Sequence, residues 1–146
     1  MKLVCVLLFG GILATSAAHA DQEPDLIDNM VAMQYFLHKL SLSVSAGNYE
    51  LADFYAHELE ETIEDAETIS DYHGHPIGQL VTRMLVPTFD AFEDALDEGQ
   101  HDDLADRLDQ VISSCNACHS ATGYDVIHIK RNAHNPYMQS FRPRNE

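Results

Sequence analysis

Two thiols and an imidazole stand within five consecutive residues, Cys115-Asn116-Ala117-Cys118-His119. Cysteines three apart on a helical turn can reach two vinyl groups on one side of a porphyrin and form thioethers. The adjacent histidine then keeps its imidazole free to bind iron from one face. This CxxCH spacing is the attachment signature of a c-type haem. One motif implies one covalent haem c, with Cys115 and Cys118 as the thioether positions and His119 as the proximal iron ligand. Three other chemistries use close cysteines. A zinc site needs a second ligand pair at knuckle spacing, and the chain holds no second CxxC and no HxxxH. A thioredoxin-like redox pair accompanies alternating strands and helices, a pattern missing here. A plain disulfide beside an incidental histidine is the third, since close cysteines in an oxidising compartment pair by default.

The elements that must position this motif have helical period throughout. Leu26, Met30, Met33, Leu37, Leu40 and Val44 recur at spacings of four and three, one stripe of a helix from about Pro24 to Ala46. Gly47 suits its stop, and Asn48 suits the cap of a second helix, with stripe Ala52, Tyr55, Leu59, Ile63, Ala66 and Ile69 and an end near Ser70. The stretch 71–78, with Gly74, Pro76, Gly78, His73 and His75, reads as a loop. Ile77, Val81, Met84, Thr88, Phe92 and Ala95 mark a third helix ending near Gly99, with a kink expected where Pro87 lacks the donor for the carbonyl of Arg83. A fourth helix starts at Asp102 or Asp103, its stripe running Leu104, Leu108, Val111, Cys115 and Cys118. Both cysteines therefore face the core. No strand signal of comparable length occurs. The expectation is an all-α fold, an antiparallel up-down-up-down four-helix bundle over residues 21–146 with an irregular C-terminal extension after Ala121. Tyr124, Ile127, Ile129, Tyr137 and Phe141 would pack that extension on the helices.

Around Cys115, Cys118 and His119 near the end of a fourth helix, the chain resembles the monohaem c-type cytochromes built as four-helix bundles, the cytochrome c-prime superfamily. The resemblance implies the roles given above for these three residues, and it covers the helical part of the chain in architecture. Two features depart from that group. Many of its members carry a base a few residues after the histidine, whereas here Ser120-Ala121-Thr122-Gly123-Tyr124 follows and the first base is Lys130. The ending is also longer.

The sixth iron position has several candidates. In such a bundle His119 lies roughly 27 Å from the Ala46 end, level with Asp28 on helix one. Met30 is then the nearest stripe residue with a donor sulfur, with Met33 one turn on; both are also ordinary core fillers. His38 is a stronger ligand type but lies about ten residues further along, at the stripe's edge. His73, His75 and Met138 are further options, as is an open site. Thioether ligation raises the reduction potential relative to two histidines, so this choice sets the redox role. His57, Glu58 and Glu61 share a face opposite Leu59 and read as a solvated surface.

The remaining signals concern place and partners. Lys2, an apolar run from Leu3 to about Ala14 and then Ala18-His19-Ala20 read as a signal peptide over residues 1–20, cleaved after Ala20, for export to the periplasm. The run is too short to span a bilayer, so no membrane insertion is expected after cleavage. The full chain carries 24 Asp and Glu against 8 Lys and Arg, a net charge of -16; losing Lys2 leaves 24 against 7, or -17. That balance opposes nucleic-acid binding and anticipates redox partner proteins with basic docking surfaces. Lys130, Arg131 and Arg142 are candidates to neutralise haem propionates. No nucleophile-and-base arrangement marks an enzyme. The expectation is one-electron transfer, with binding of nitric oxide or carbon monoxide at an open iron face as the rival; a homodimer through helix one is a possibility carried by analogy alone.

Overall fold

The computed structural model describes residues 24–144. The expected leader and its cleavage site after Ala20 lie outside the described residues. Five helices make up the fold: α1 (Leu26–Ser45), α2 (Tyr49–Thr68), α3 (Ile77–Met84), α4 (Val86–Asp97) and α5 (Leu104–Ala121). Among the described residues there is no strand, only an isolated bridge between Tyr72 and His75, so the chain is all-α. No helix among them is long and apolar enough to cross a membrane.

Local chemistry sets the ends of these helices. Asp25, rather than Pro24, opens α1: its carboxylate accepts from the amides of Ile27 and Asp28, which holds its backbone extended just before the first turn. Asn48 caps α2 through the Leu51 amide, as expected. The third helix anticipated over 77–99 is instead two, α3 and α4, parted at Leu85. Pro87 sits at the start of α4, where its missing N–H costs nothing, and the Arg83 carbonyl that this N–H would have met is left at the end of α3. The break also turns the buried stripe by one residue. Leu85 and Phe89 are buried where Met84 and Thr88 were expected. Gly78 joins α3 to α2: a Cβ there would collide with the backbone carbonyl of Glu67, and its amide donates to the Ile69 carbonyl at 2.8 Å.

α1 packs on α2 and α5, α4 packs on α5, and α2 touches both α3 and α4. Their apolar faces meet in one cluster that includes Leu40, Leu59, Phe89, Phe92, Leu104 and Leu108, each no more than 2% exposed. The C-terminal segment 122–144 returns over α1 and is pinned at two places. Phe141 is buried in the core cluster. Upstream of it, the ammonium of Lys39 sits 4.7, 5.0 and 4.8 Å from the ring centres of Tyr35, Tyr55 and Tyr137, and donates to Tyr55 Oη and Gln139 Oε1. Burial works against this charge, but the hydrogen bonds to Tyr35 and Tyr55 outweigh it and hold the ammonium protonated beyond its ordinary range.

Candidate functional site

The end of α5 presents its motif into a cavity of about 310 Å³. Cys115, Cys118 and His119 all line it, and α1 supplies the facing wall through Leu26, Met30, Met33 and Leu37. Leu59, Ile63, Ile77, Leu85 and Val111 close its floor, while Tyr124, Ile127 and Ile129 of the C-terminal segment form a third side. No Asp, Glu, Lys or Arg lines it. Ile27 and Val31, 56% and 63% exposed, stand at its rim, as does Ile127 at 47%. A guest lodged here would cover apolar surface that the protein itself leaves wet.

His119 is held by the turn that follows it. At the end of α5 the amide of Gly123 donates to the Ser120 carbonyl at 3.1 Å and that of Tyr124 to the His119 carbonyl at 2.8 Å. This is a Schellman closure, and it needs the left-handed φ of 78° that Gly123 adopts. The chain is thereby turned back along α5 until the Ile127 carbonyl lies 2.9 Å from His119 Nδ1. A carbonyl can only accept, so Nδ1 carries the hydrogen and the lone pair is on Nε2, which has no protein partner among the described residues. An outer hydrogen bond of this kind orients an imidazole and raises its basicity toward a metal.

Asn116 makes that arrangement firm. From inside the motif it donates through Nδ2 to the Ile129 carbonyl at 2.9 Å and accepts the Ile129 amide on Oδ1 at 2.7 Å. One side-chain amide thus pairs with both backbone groups of a residue two places after Ile127. Sequence reading gives Asn116 no role. Its signal was present in the type, since an asparagine carries one acceptor and paired donors able to imitate a strand edge.

The two thiols are free and half-buried. Burial, with a smaller effect from neighbouring Cys118, pushes Cys115 up to about 11, and burial also raises Cys118. Both remain neutral thiols at pH 7, the reverse of the lowered thiol expected of a redox pair. Among the described residues no group of three or more His, Cys, Asp or Glu side chains is disposed to hold a metal ion.

The other candidate ligands fall on either side of the cavity wall. Met30 and Met33 line it with the motif. His38 does not: Nε2 points at the Asn132 carbonyl at 3.0 Å and Nδ1 at Tyr137 Oη at 3.1 Å, so Nε2–H donates, Nδ1 accepts and no lone pair is left over. His73 and His75 also stand outside the lining, where Tyr72 is the loop's contribution, and Met138 is fully exposed. His57 lies on the solvated face, beside Glu60 and Glu61 at 3.4 and 3.7 Å. Compared with known proteins, the chain matches no family model, no curated protein and no solved structure.

Proposed function

We propose that the chain is an exported monohaem c-type cytochrome, similar to the cytochrome c-prime group, that carries one electron between periplasmic partners. In this reading its helices form an antiparallel up-down-up-down bundle whose third stave is α3 and α4 together, supported by the packing of α1 on α2 and α5 and of α4 on α5. The observation that carries the proposal is that both cysteines and the histidine of one CxxCH run line a single uncharged cavity, with His119 Nδ1 anchored and Nε2 free. The donor set suits the group: neutral thiols for thioether formation, one imidazole, and apolar walls for a flat macrocycle.

A haem c held by Cys115, Cys118 and His119 would supply an iron centre that exchanges one electron. The protein's part is to fix and tune. Ile127 O orients His119 and favours the oxidised state by strengthening its imidazole. Leu37, Leu59, Ile63 and Val111 exclude water, so little solvent must rearrange when charge changes. The acidic composition, 24 acids against 7 bases once Lys2 is lost, steers the molecule to a basic docking patch, with rates that fall as salt rises.

The rival reading, uptake of nitric oxide or carbon monoxide, is favoured by one observation. With His38 engaged at both ring nitrogens, α1 brings no imidazole to the cavity that His119 lines, its donor side chains there being the thioethers of Met30 and Met33 and the amide of Gln34. The test is to produce the full chain with a c-type attachment system, weigh the product, and record oxidised, reduced and carbon monoxide-treated spectra. A mass without covalent haem overturns the proposal. Sharp reduced bands that ignore the gas and broaden in Met30→Ala support electron transfer with Met30 as ligand; bands that shift with the gas support the rival.

A further inference from the structure

Beside the apolar cavity lies a second one of about 480 Å³, and the two share Val31, Gln34, Leu37 and Ile129 as lining. Their characters differ sharply. Lys130, Arg131, His38, His128, Asn132 and Tyr137 give the second its polar lining. In a chain with 24 acids and 8 bases, none of the acids lines it, while two of the bases do. Arg131 is paired outward with Asp109 of α5 at 2.6 Å. Lys130 and His128 form no ion pair or hydrogen bond among the described residues, and the charged Lys39 stands behind Tyr137. The cleft therefore carries an unpaired cation and spare donors with no acid in its lining, and it opens off an apolar slot.

A c-type haem has the same two-part chemistry. Its vinyl edge is apolar and its opposite edge carries two carboxylates, which cannot stay ionised in an uncharged cavity without a partner. We infer that the polar cleft between α1 and the C-terminal segment receives the haem propionates, with Lys130 as their principal cation and His128 as a further donor. This inference rests on the haem reading above. It assigns the extension after Ala121 a role in the site: one strand of chain supplies both the Ile127 carbonyl that orients His119 and, three residues on, the charge that offsets the carboxylates.

Arg142, expected from sequence to share in neutralising propionates, is exposed and lines neither cavity, so the test compares the haem-loaded protein with Lys130→Ala, Lys130→Arg and, as the charge outside the cleft, Arg142→Ala. Two readouts are taken: the ferric fraction at one fixed electrode poise, and the propionate bending band in the resonance Raman spectrum, which a hydrogen bond to the carboxylate moves and a distant charge does not. Losing a cation beside the haem edge favours the ferric state, so Lys130→Ala is expected to raise the ferric-to-ferrous ratio by roughly threefold or more. The Raman band should shift with it. Lys130→Arg should restore both, and Arg142→Ala should move neither. Covalent haem present, with Lys130→Ala indistinguishable from Arg142→Ala in both readouts, overturns the inference alone. Absence of covalent haem from the unaltered protein overturns the reading beneath it as well.

Discussion

Replacing Asn116 with alanine removes two hydrogen bonds that no backbone group of α5 can replace, because those groups are already bonded within the helix. At 2.9 and 2.7 Å both bonds are of good length. Each is worth about 0.5–1.5 kcal/mol net, so the substitution should cost about 1–3 kcal/mol, toward the lower end because water reaches the half-buried Ile129 once the amide is gone. With a urea dependence of about 1–3 kcal/mol per molar, the unfolding midpoint falls by about 1 M. A second effect follows from geometry. Freed from Asn116, the Ile127 carbonyl no longer holds the hydrogen on His119 Nδ1, and the ring samples both tautomers. Nitrogen NMR of the imidazole in the haem-free chain reads this directly: one tautomer in the unaltered protein, a mixture in the variant. Where the imidazole binds metal, loss of such an outer bond weakens the affinity about 10- to 100-fold. A variant that unfolds at the unaltered midpoint and keeps a single His119 tautomer refutes the reasoning.

Two further outcomes are expected. Burial, reinforced by Glu60, Asp97 and Asp90 and partly relieved by His57, pushes the half-buried Glu93 up to about 7. Its folded value lies above its unfolded one, so ionisation costs stability from about pH 4.5 upward and the full cost is present above about pH 7. Allowing for solvent screening, Glu93→Gln should gain about 1–2 kcal/mol at pH 8 and nothing at pH 4, by thermal unfolding at both; an equal gain at the two values would contradict this origin. Lys39→Met keeps the stem but removes the charge that three tyrosines enclose, at a cost of about 1–3 kcal/mol. The segment 122–144 should then be cut faster by protease than α1 to α5, whereas uniform resistance would show that Phe141 alone holds it.

The apolar faces were largely legible. All six stripe residues named for α2 are buried, because a long, regular helix against one core obeys its period without exception. Period failed at Leu85, where Pro87 shifts the register and a strict three-four count cannot follow. The motif residues were legible from type and spacing, and the cavity lining groups them with Met30 and Met33 from α1. What period cannot show is the use of polar side chains by distant backbone. His38 is taken up by Asn132 and Tyr137, about a hundred residues later, and Lys39 by Tyr137 and Gln139. Buried Asn29 is likewise read only in three dimensions, donating to the Thr62 carbonyl of α2 at 2.9 Å.

The third side of the cavity has a place in time as well as in space. A chain made from its N-terminus completes α1, α2 and the motif on α5 before Tyr124, Ile127 and Ile129 exist to close over them. Until residues 124–144 fold back, the slot between α1 and α5 is open along its length and both thiols are within reach of a large reagent. Once Asn116 grips Ile129 and Lys39 gathers its tyrosines, the same thiols are half-buried beside a fastened third wall. The last-made segment thus supplies the final side of a cavity whose other walls, and whose two thiols, are already in the chain.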